Sequence, residues 1–119
     1  MSVHLLLDTN IIIRHLAESP DAPAPQSAAI STLTVFETLR YSGMTSQEEY
    51  ALRNLINACE VIPLYRNIAE HAAALGRTRS TKLPDLLIAA TALELGIPLI
   101  TKNFRDFKDI PDLVVQDHF

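Results

Sequence analysis

The sequence predicts an α/β fold, a parallel sheet of five strands covered by helices on both faces. Three observations point there. The strand candidates, such as VHLLL (3–7) and IPLIT (97–101), are short apolar runs rather than alternating patterns, as in strands buried on both faces. They alternate with segments of helical period, the order a parallel sheet with crossover helices requires. The clearest helix also carries matched end signals, with Pro84 at its first position and Gly96 just past its end.

Each element follows in chain order. VHLLL (3–7) reads as a strand and leads into a helix from about Thr9 to Glu18. SPDAPAP (19–25), with three prolines in seven residues, is a loop. SAAIS (27–31) is a short strand, after which Ser31 or Thr32 caps a helix running to about Tyr41. In that helix Leu33, Phe36 and Leu39 mark the expected inner stripe. TSQEEYALRNLINA (45–58) is an amphipathic helix capped by Thr45 or Ser46, with Glu48 and Glu49 in its first turn. EVIPL (60–64) is a strand and NIAEHAAALGR (67–77) a helix. LPDLLIAATALELG (83–96) is the helix with the matched ends. IPLIT (97–101) and DLVVQ (112–116) close the series, with a helical turn between them that Phe104 and Phe107 are expected to anchor in the core.

The bulk properties suit one domain. At 119 residues and 48% apolar content, the chain can bury a core. A lone cysteine, Cys59, excludes an internal disulfide and suits a reducing compartment. No secretory signal or membrane-length apolar run is visible, so a cytoplasmic location is expected. There is no glycine-rich phosphate loop and no nucleophile elbow, since Gly43, Gly76 and Gly96 all fall where helices end. The four histidines lack metal-ligand spacing. The net charge of −4 weakly disfavours nucleic acid as a partner.

Chemistry is concentrated in the acids. Asp8 interrupts LLLDTNIII at the end of the first strand, the edge of a parallel sheet where ligands bind. It is equally well suited to capping the helix that follows. Asp85 shares a helical face with Ile88, Ala89 and Ala92, so its carboxylate points inward, although an acid in a first turn also complements the helix dipole. Glu37 flanks the inner stripe of its helix, where a solvated glutamate is the plainer reading. Asn103 and Asp106, three apart in TKNFRDF, share a face just after the fourth strand, where a solvated turn is the alternative. If the first and fourth strands are neighbours, Asp8 and Asn103 meet at the crevice between them. Two carboxylates ~4 Å apart repel by about 4 kcal/mol at an effective dielectric near 20. A divalent cation would offset that repulsion, and an all-oxygen site selects Mg²⁺ or Mn²⁺ over zinc.

With these residues in view, the chain resembles the PIN-domain ribonucleases, most closely the VapC-like toxins of bacterial toxin–antitoxin pairs. The likeness is carried by LLLDTNIII, by the helix containing FETLRY, by LPDLLIAATALELGIPLITKNFRDF and by IPDLVV, and it spans nearly the whole chain as one domain, 1–119. The resemblance implies a three-layer, Rossmann-like α/β/α sandwich with strand order 3-2-1-4-5. It implies that Asp8, Glu37 and Asp85 are three catalytic acids and Asp106 the fourth. Asn103 is a polar helper at a position where many relatives carry the acid. Thr9 and Thr101 would line the site through their hydroxyls. It further implies hydrolysis of RNA phosphodiesters with Mg²⁺ or Mn²⁺ held by Asp8, Asp85 and Asp106, endonucleolytic cuts leaving a 5′-phosphate, an antitoxin partner, and a homodimer.

The acidic charge is compatible with RNA. Eight of the ten cations lie close in sequence to the four acids: Arg14, Arg40, Arg77, Arg79, Lys82, Lys102, Arg105 and Lys108. Such a rim can hold phosphates, although ordinary solvated positions would look the same. Tyr41, Met44, Tyr50 and Leu52 could form an antitoxin or homodimer surface, and core packing explains them equally well. A haloacid-dehalogenase-like phosphatase needs a second acid where this chain has Asn10. A receiver module needs one after the third strand, where EVIPLY has none. A PIN-like module that only binds RNA or protein is the other reading.

Overall fold

The computed structural model describes residues 2–119. Its elements are β1 (Leu5–Leu7), α1 (Thr9–Glu18), β2 (Ala28–Ser31), α2 (Thr32–Leu39), α3 (Ser46–Asn57), β3 (Glu60–Ile62), α4 (Arg66–Gly76), α5 (Leu83–Leu95), β4 (Leu99–Ile100), α6 (Phe104–Phe107) and β5 (Val115–Gln116). The sheet runs β3-β2-β1-β4-β5, and every pairing is parallel.

Successive strand residues point to opposite faces, and this divides the core in two. Leu6, Ala29 and Leu99 face α4 and α5, where they pack with Ile68, Ala72 and Ile88. Leu7, Ala28, Ile30 and Ile100 face α1 and α3, where they pack with Ile12, Leu52 and Ile56. Helix α2 sends Leu33 to the first cluster and Val35 and Leu39 to the second, so it straddles the sheet edge. That places it beside the strand ends from which the crevice is built.

The ends of the elements have local causes. Thr45 and Glu48 form a reciprocal capping box at α3, with hydrogen bonds of 2.8 and 3.1 Å. Gly96 ends α5 at φ +68, a conformation glycine adopts without strain. The expected strands are shorter than their apolar runs. Pro63 cannot donate to a ladder and follows the last residue of β3, and Asp112 sits at φ 67 ahead of β5, so the chain becomes extended only later. On the outer side of α4 and α5, Glu94 accepts hydrogen bonds from Asn67 and His71, both at 2.7 Å, which ties the two helices together.

Two aromatic positions differ from the sequence reading, and one open alternative is decided. In α2 Leu33 and Leu39 pack inward as expected, but Phe36 is 59% exposed and the fully buried residues are Thr34 and Thr38. Threonine can occupy the interior because its hydroxyl bonds back to the helix. Thr38 donates to the Thr34 carbonyl at 2.8 Å. In α6, Phe107 anchors the turn as expected, but Phe104 faces solvent. Of the two explanations for Leu52, interaction surface or core packing, it is core packing that holds.

Candidate active site

The crevice opens at the C-terminal ends of β1, β2 and β4, where three strand-to-helix turns meet. Asp8 follows β1 directly and caps α1, one of the two roles the sequence offered for it. Its Oδ1 accepts the Thr9 N–H at 2.8 Å. Its Oδ2 accepts the Thr101 hydroxyl at 2.7 Å and the Asn10 amide at 3.3 Å. Thr101 follows β4, and its oxygen also accepts the Asn103 N–H at 3.0 Å. Pairing of β1 with β4 is therefore what brings residues 93 apart in sequence into contact.

Glu37 arrives from the other side. The Thr9 hydroxyl donates to Glu37 Oε1 at 2.7 Å and lies 3.0 Å from the Thr34 hydroxyl. Thr9 has one proton and gives it to the carboxylate, so Thr34 donates to Thr9. A relay Thr34–Thr9–Glu37 thus fixes the glutamate from inside the fold. Neither Thr34 nor Asn10 stood out in the sequence as a site residue. The available signals were the placement of Thr34 three before Glu37 and of Asn10 two after Asp8.

Asp85, in the first turn of α5, is partly buried, and Asp106, in α6, is exposed. The charges of the other three acids are all felt at Asp85. Burial pushes the Asp85 carboxyl up to about 6, the charges of Asp8, Asp106 and Glu37 add to that shift, and Lys82 partly opposes it. Burial also raises Asp8, against the bonds from Thr101 and Thr9, and the charges of Glu37 and Asp106 raise it further. Among the described residues, however, no three His, Cys, Asp or Glu side chains stand close enough to make a ready-formed metal cage.

That arrangement suits a hard divalent cation. The donor set is all oxygen, and burial together with neighbouring carboxylates disfavours the charged forms of Asp8 and Asp85. Asn10 Oδ1 is also buried without a hydrogen-bond partner among the described residues. Mg²⁺ keeps several of its waters and is held by one or two carboxylates plus substrate phosphates, so it does not require a cage. Asp8, Asp85 and Asp106 are the residues that could hold it.

The candidate RNA-binding cations differ in how free they are. Arg79 is committed to the protein, bonding the Leu75 and Asp109 carbonyls at 2.9 and 3.0 Å. Arg14 lies 3.6 Å from Glu18 and, with Lys102 and His118, lines a surface groove of about 220 Å³. Arg40 sits 5.6 Å from the centroid of the Phe36 ring. Lys82 and Arg105 are exposed beside Asp85 and Asp106. A larger groove of about 740 Å³ runs between α1, α2 and α3, with Glu37 on one wall and Leu16, Tyr41 and Met44 among its lining.

Residues 5–113 match the family model of the PIN domain. Ribonuclease VapC19 of Mycobacterium tuberculosis is 32% identical over 121 residues, covering 91% of this chain and 95% of that protein. Among solved structures, a toxin–antitoxin complex from Klebsiella pneumoniae contains a chain 35% identical, with a TM-score of 0.73 and coverage of 92% of this chain and 95% of that one. VapBC-1 from nontypeable Haemophilus influenzae is 30% identical, with a TM-score of 0.77 and coverage of 97% and 98%. With the sheet order 3-2-1-4-5 and an acid at the end of β1, these matches make the chain a member of the PIN-domain family, of the VapC-like kind found in toxin–antitoxin pairs.

Proposed function

We propose that the protein is a metal-dependent endoribonuclease and the toxin of a toxin–antitoxin pair. The observation that carries this reading is that Thr9 bonds both Asp8 and Glu37 at the crevice, while Asp85, raised first by burial, also feels the charges of Asp8, Asp106 and Glu37. A fold gains nothing in stability from gathering like charges in a half-buried crevice, so such a cluster belongs to function. The resident ion is Mg²⁺ or Mn²⁺, held by Asp8, Asp85 and Asp106. When bound, it supplies Lewis-acid stabilisation of the phosphoryl charge and lowers the pKa of a water.

The chain's own residues do the positioning. Thr101, Asn10 and the Thr9 N–H hold the Asp8 carboxylate in one orientation. Glu37, fixed by Thr9, orients the attacking water or accepts its proton. Asn103 supports Thr101, and Lys82, Lys102 and Arg105 draw the phosphodiester backbone to the crevice. No protein nucleophile takes part, and cleavage leaves a 5′-phosphate.

The antitoxin occupies the groove between α1, α2 and α3. Its apolar lining suits a packed peptide segment, and Glu37 at its wall offers a basic side chain of that segment a counter-charge. Cleavage of a defined RNA with Mg²⁺, with Mn²⁺ and with chelator, comparing the parent with Asp8→Asn, tests the nuclease. Chelator and mutation should each abolish cutting. Activity surviving both excludes the mechanism, and inactivity throughout with RNA still bound identifies a binding module.

A further inference from the structure

Arg79, a cation that sequence proximity assigns to RNA, spends its guanidinium inside the fold. Its Nε donates to the Asp109 carbonyl at 3.0 Å, and its Nη1 donates to the Leu75 carbonyl at 2.9 Å and to the Thr78 hydroxyl at 3.2 Å. The bond to Leu75 has a local explanation. Leu75 lies in the last turn of α4, where helix carbonyls lack partners of their own, and a nearby arginine can supply one. The bond to Asp109 has no such explanation. It joins residues 30 apart in sequence and reaches the turn that follows α6, just beyond Asp106.

The two ends of this tie lie next to the acids that no described side chain holds. At one end, a Cβ added to Gly76 would stand 3.1 Å from Leu86 Cδ1, so the end of α4 sits against the first turn of α5, at the residue after Asp85. At the other end, α6 is only 4 residues long, and a helix that short cannot hold itself. Phe107 and Ile110 anchor it in the core, in the cluster that also contains Leu75 and Leu86. Arg79 adds a second attachment, from the turn after α6 to the corner between α4 and α5.

We propose that Arg79 is a positioning residue that straps α6, and with it Asp106, to the start of α5, and so sets the placement of Asp106 relative to Asp85. The proposal rests on the reading of the crevice as a metal site that cuts RNA. Neither carboxylate accepts a hydrogen bond from a described side chain, so their relative placement depends on the backbone that carries them. The charge of Asp106 is felt at Asp85, so the two stand within electrostatic reach of each other. An ion shared by carboxylates from two separate helices needs that spacing kept, and residues behind the ligands are what keep it. Arginine suits the task because its rigid planar fork offers separate donors to two carbonyls at once, whereas lysine offers a single flexible point charge. Arg79→Lys therefore keeps the charge and loses the strap.

The test compares Arg79→Lys and Arg79→Gln with the parent, and uses Arg66→Gln, which removes an exposed α4 cation paired with Glu70, as a control. In chelator, hydrogen exchange at the Asp106 and Ile110 amides, which donate to the Asn103 and Phe107 carbonyls, should be roughly tenfold faster in both Arg79 variants and unchanged across α3. Mn²⁺ affinity by calorimetry should fall roughly tenfold in both. At saturating RNA the loss of cleavage should appear in kcat. RNA affinity is read in the Asp8→Asn background with a fluorescently labelled single-stranded oligoribonucleotide, and Arg79→Gln should leave its salt slope unchanged. Arg66→Gln should match the parent throughout. The proposal is overturned if exchange at α6 is unchanged, or if Arg79→Lys behaves like the parent, which would leave charge rather than the fork in control. A lower melting temperature with unchanged Mn²⁺ affinity would overturn it in favour of a plain cap on α4. A salt slope reduced by about one with unchanged Mn²⁺ affinity would overturn it in favour of a phosphate contact. A parent that binds Mn²⁺ without cutting RNA sinks the nuclease reading alone. A parent that binds no Mn²⁺ sinks the metal reading, and exchange at α6 then decides the strap. Cutting by a parent whose Arg79 variants exchange and bind Mn²⁺ normally sinks this proposal alone.

Discussion

The two sides of the crevice are built differently. On one side, Asp8 and Glu37 are tied into the fold by hydrogen bonds from Thr9, Asn10 and Thr101, with Thr34 behind them. On the other, neither Asp85 nor Asp106 accepts a hydrogen bond from any described side chain, and Asp85 is raised to about 6. The contrast teaches how a protein keeps like charges together without a partner present. Half of the acids are fixed by donors that favour the ionised form, and the rest remain open to an external counter-charge. Preorganisation resides in the β1–α1 turn, and the demand for a cation resides at α5 and α6.

This division orders the effects of mutation. The largest is expected at Asp85→Asn, which removes a charged oxygen from the open side. Cleavage should fall by more than the roughly hundredfold typical of residues that only support a metal ligand. The same variant should melt at a higher temperature than the parent in chelator, because it relieves repulsion. A parent and variant with equal activity would show that the open side is not the metal side.

Next is Thr101→Val, which keeps the shape of a fully buried side chain and removes the donor to Asp8. Hydrogen bonds to charged groups contribute about 1.5–3 kcal/mol. A loss of roughly ten- to a hundredfold in kcat/KM is expected, with weaker apparent affinity for Mn²⁺. Thr34→Val acts one bond further away, on the relay to Glu37, and should cost roughly tenfold or less, in kcat rather than in RNA affinity. If Thr34→Val proved as damaging as Asp85→Asn, the ranking of the two sides would be reversed.

The smallest effect is on stability against pH in chelator. Asp85 shifts from 3.8 to about 6 on folding, and Asp8 shifts in the same direction. The folded state therefore binds more protons than the unfolded state between about pH 4 and 6, and stability falls as pH rises through that window. The melting temperature should be higher at pH 5 than at pH 7.5, and the difference should shrink in Asp85→Asn. Glu94 and Asp117 are held low by their histidine partners and act with opposite sign, but only as pH falls below about 4.

Much of this was legible in the sequence. The order of the elements followed from apolar runs and helix ends, and Pro84 and Gly96 framed α5 to within a residue. Asp8 announced itself by interrupting an apolar run. The inward face of Asp85 followed from helical period, because it shares that face with Ile88, Ala89 and Ala92, all buried in α5. Period failed in α2, where threonines that bond to their own helix outcompeted Phe36 for the interior. It failed again in α6, where one turn is too short to bury both phenylalanines. The partnership of Asp8 with Thr101 depends on β1 pairing with β4, and no local pattern encodes that pairing. Arg79 looked like a free cation because sequence proximity to Asp85 says nothing about the carbonyls at the end of α4 that it binds.

The most direct test of the shared crevice is calorimetric titration of Mn²⁺ into the protein at pH 6 in buffers of different ionisation heat. A cation that neutralises the cluster must displace the proton held by the raised Asp85 carboxyl. Saturable binding with proton release is expected in the parent, with proton release reduced in Asp85→Asn. No binding, or binding with the same proton count in both proteins, would contradict the account.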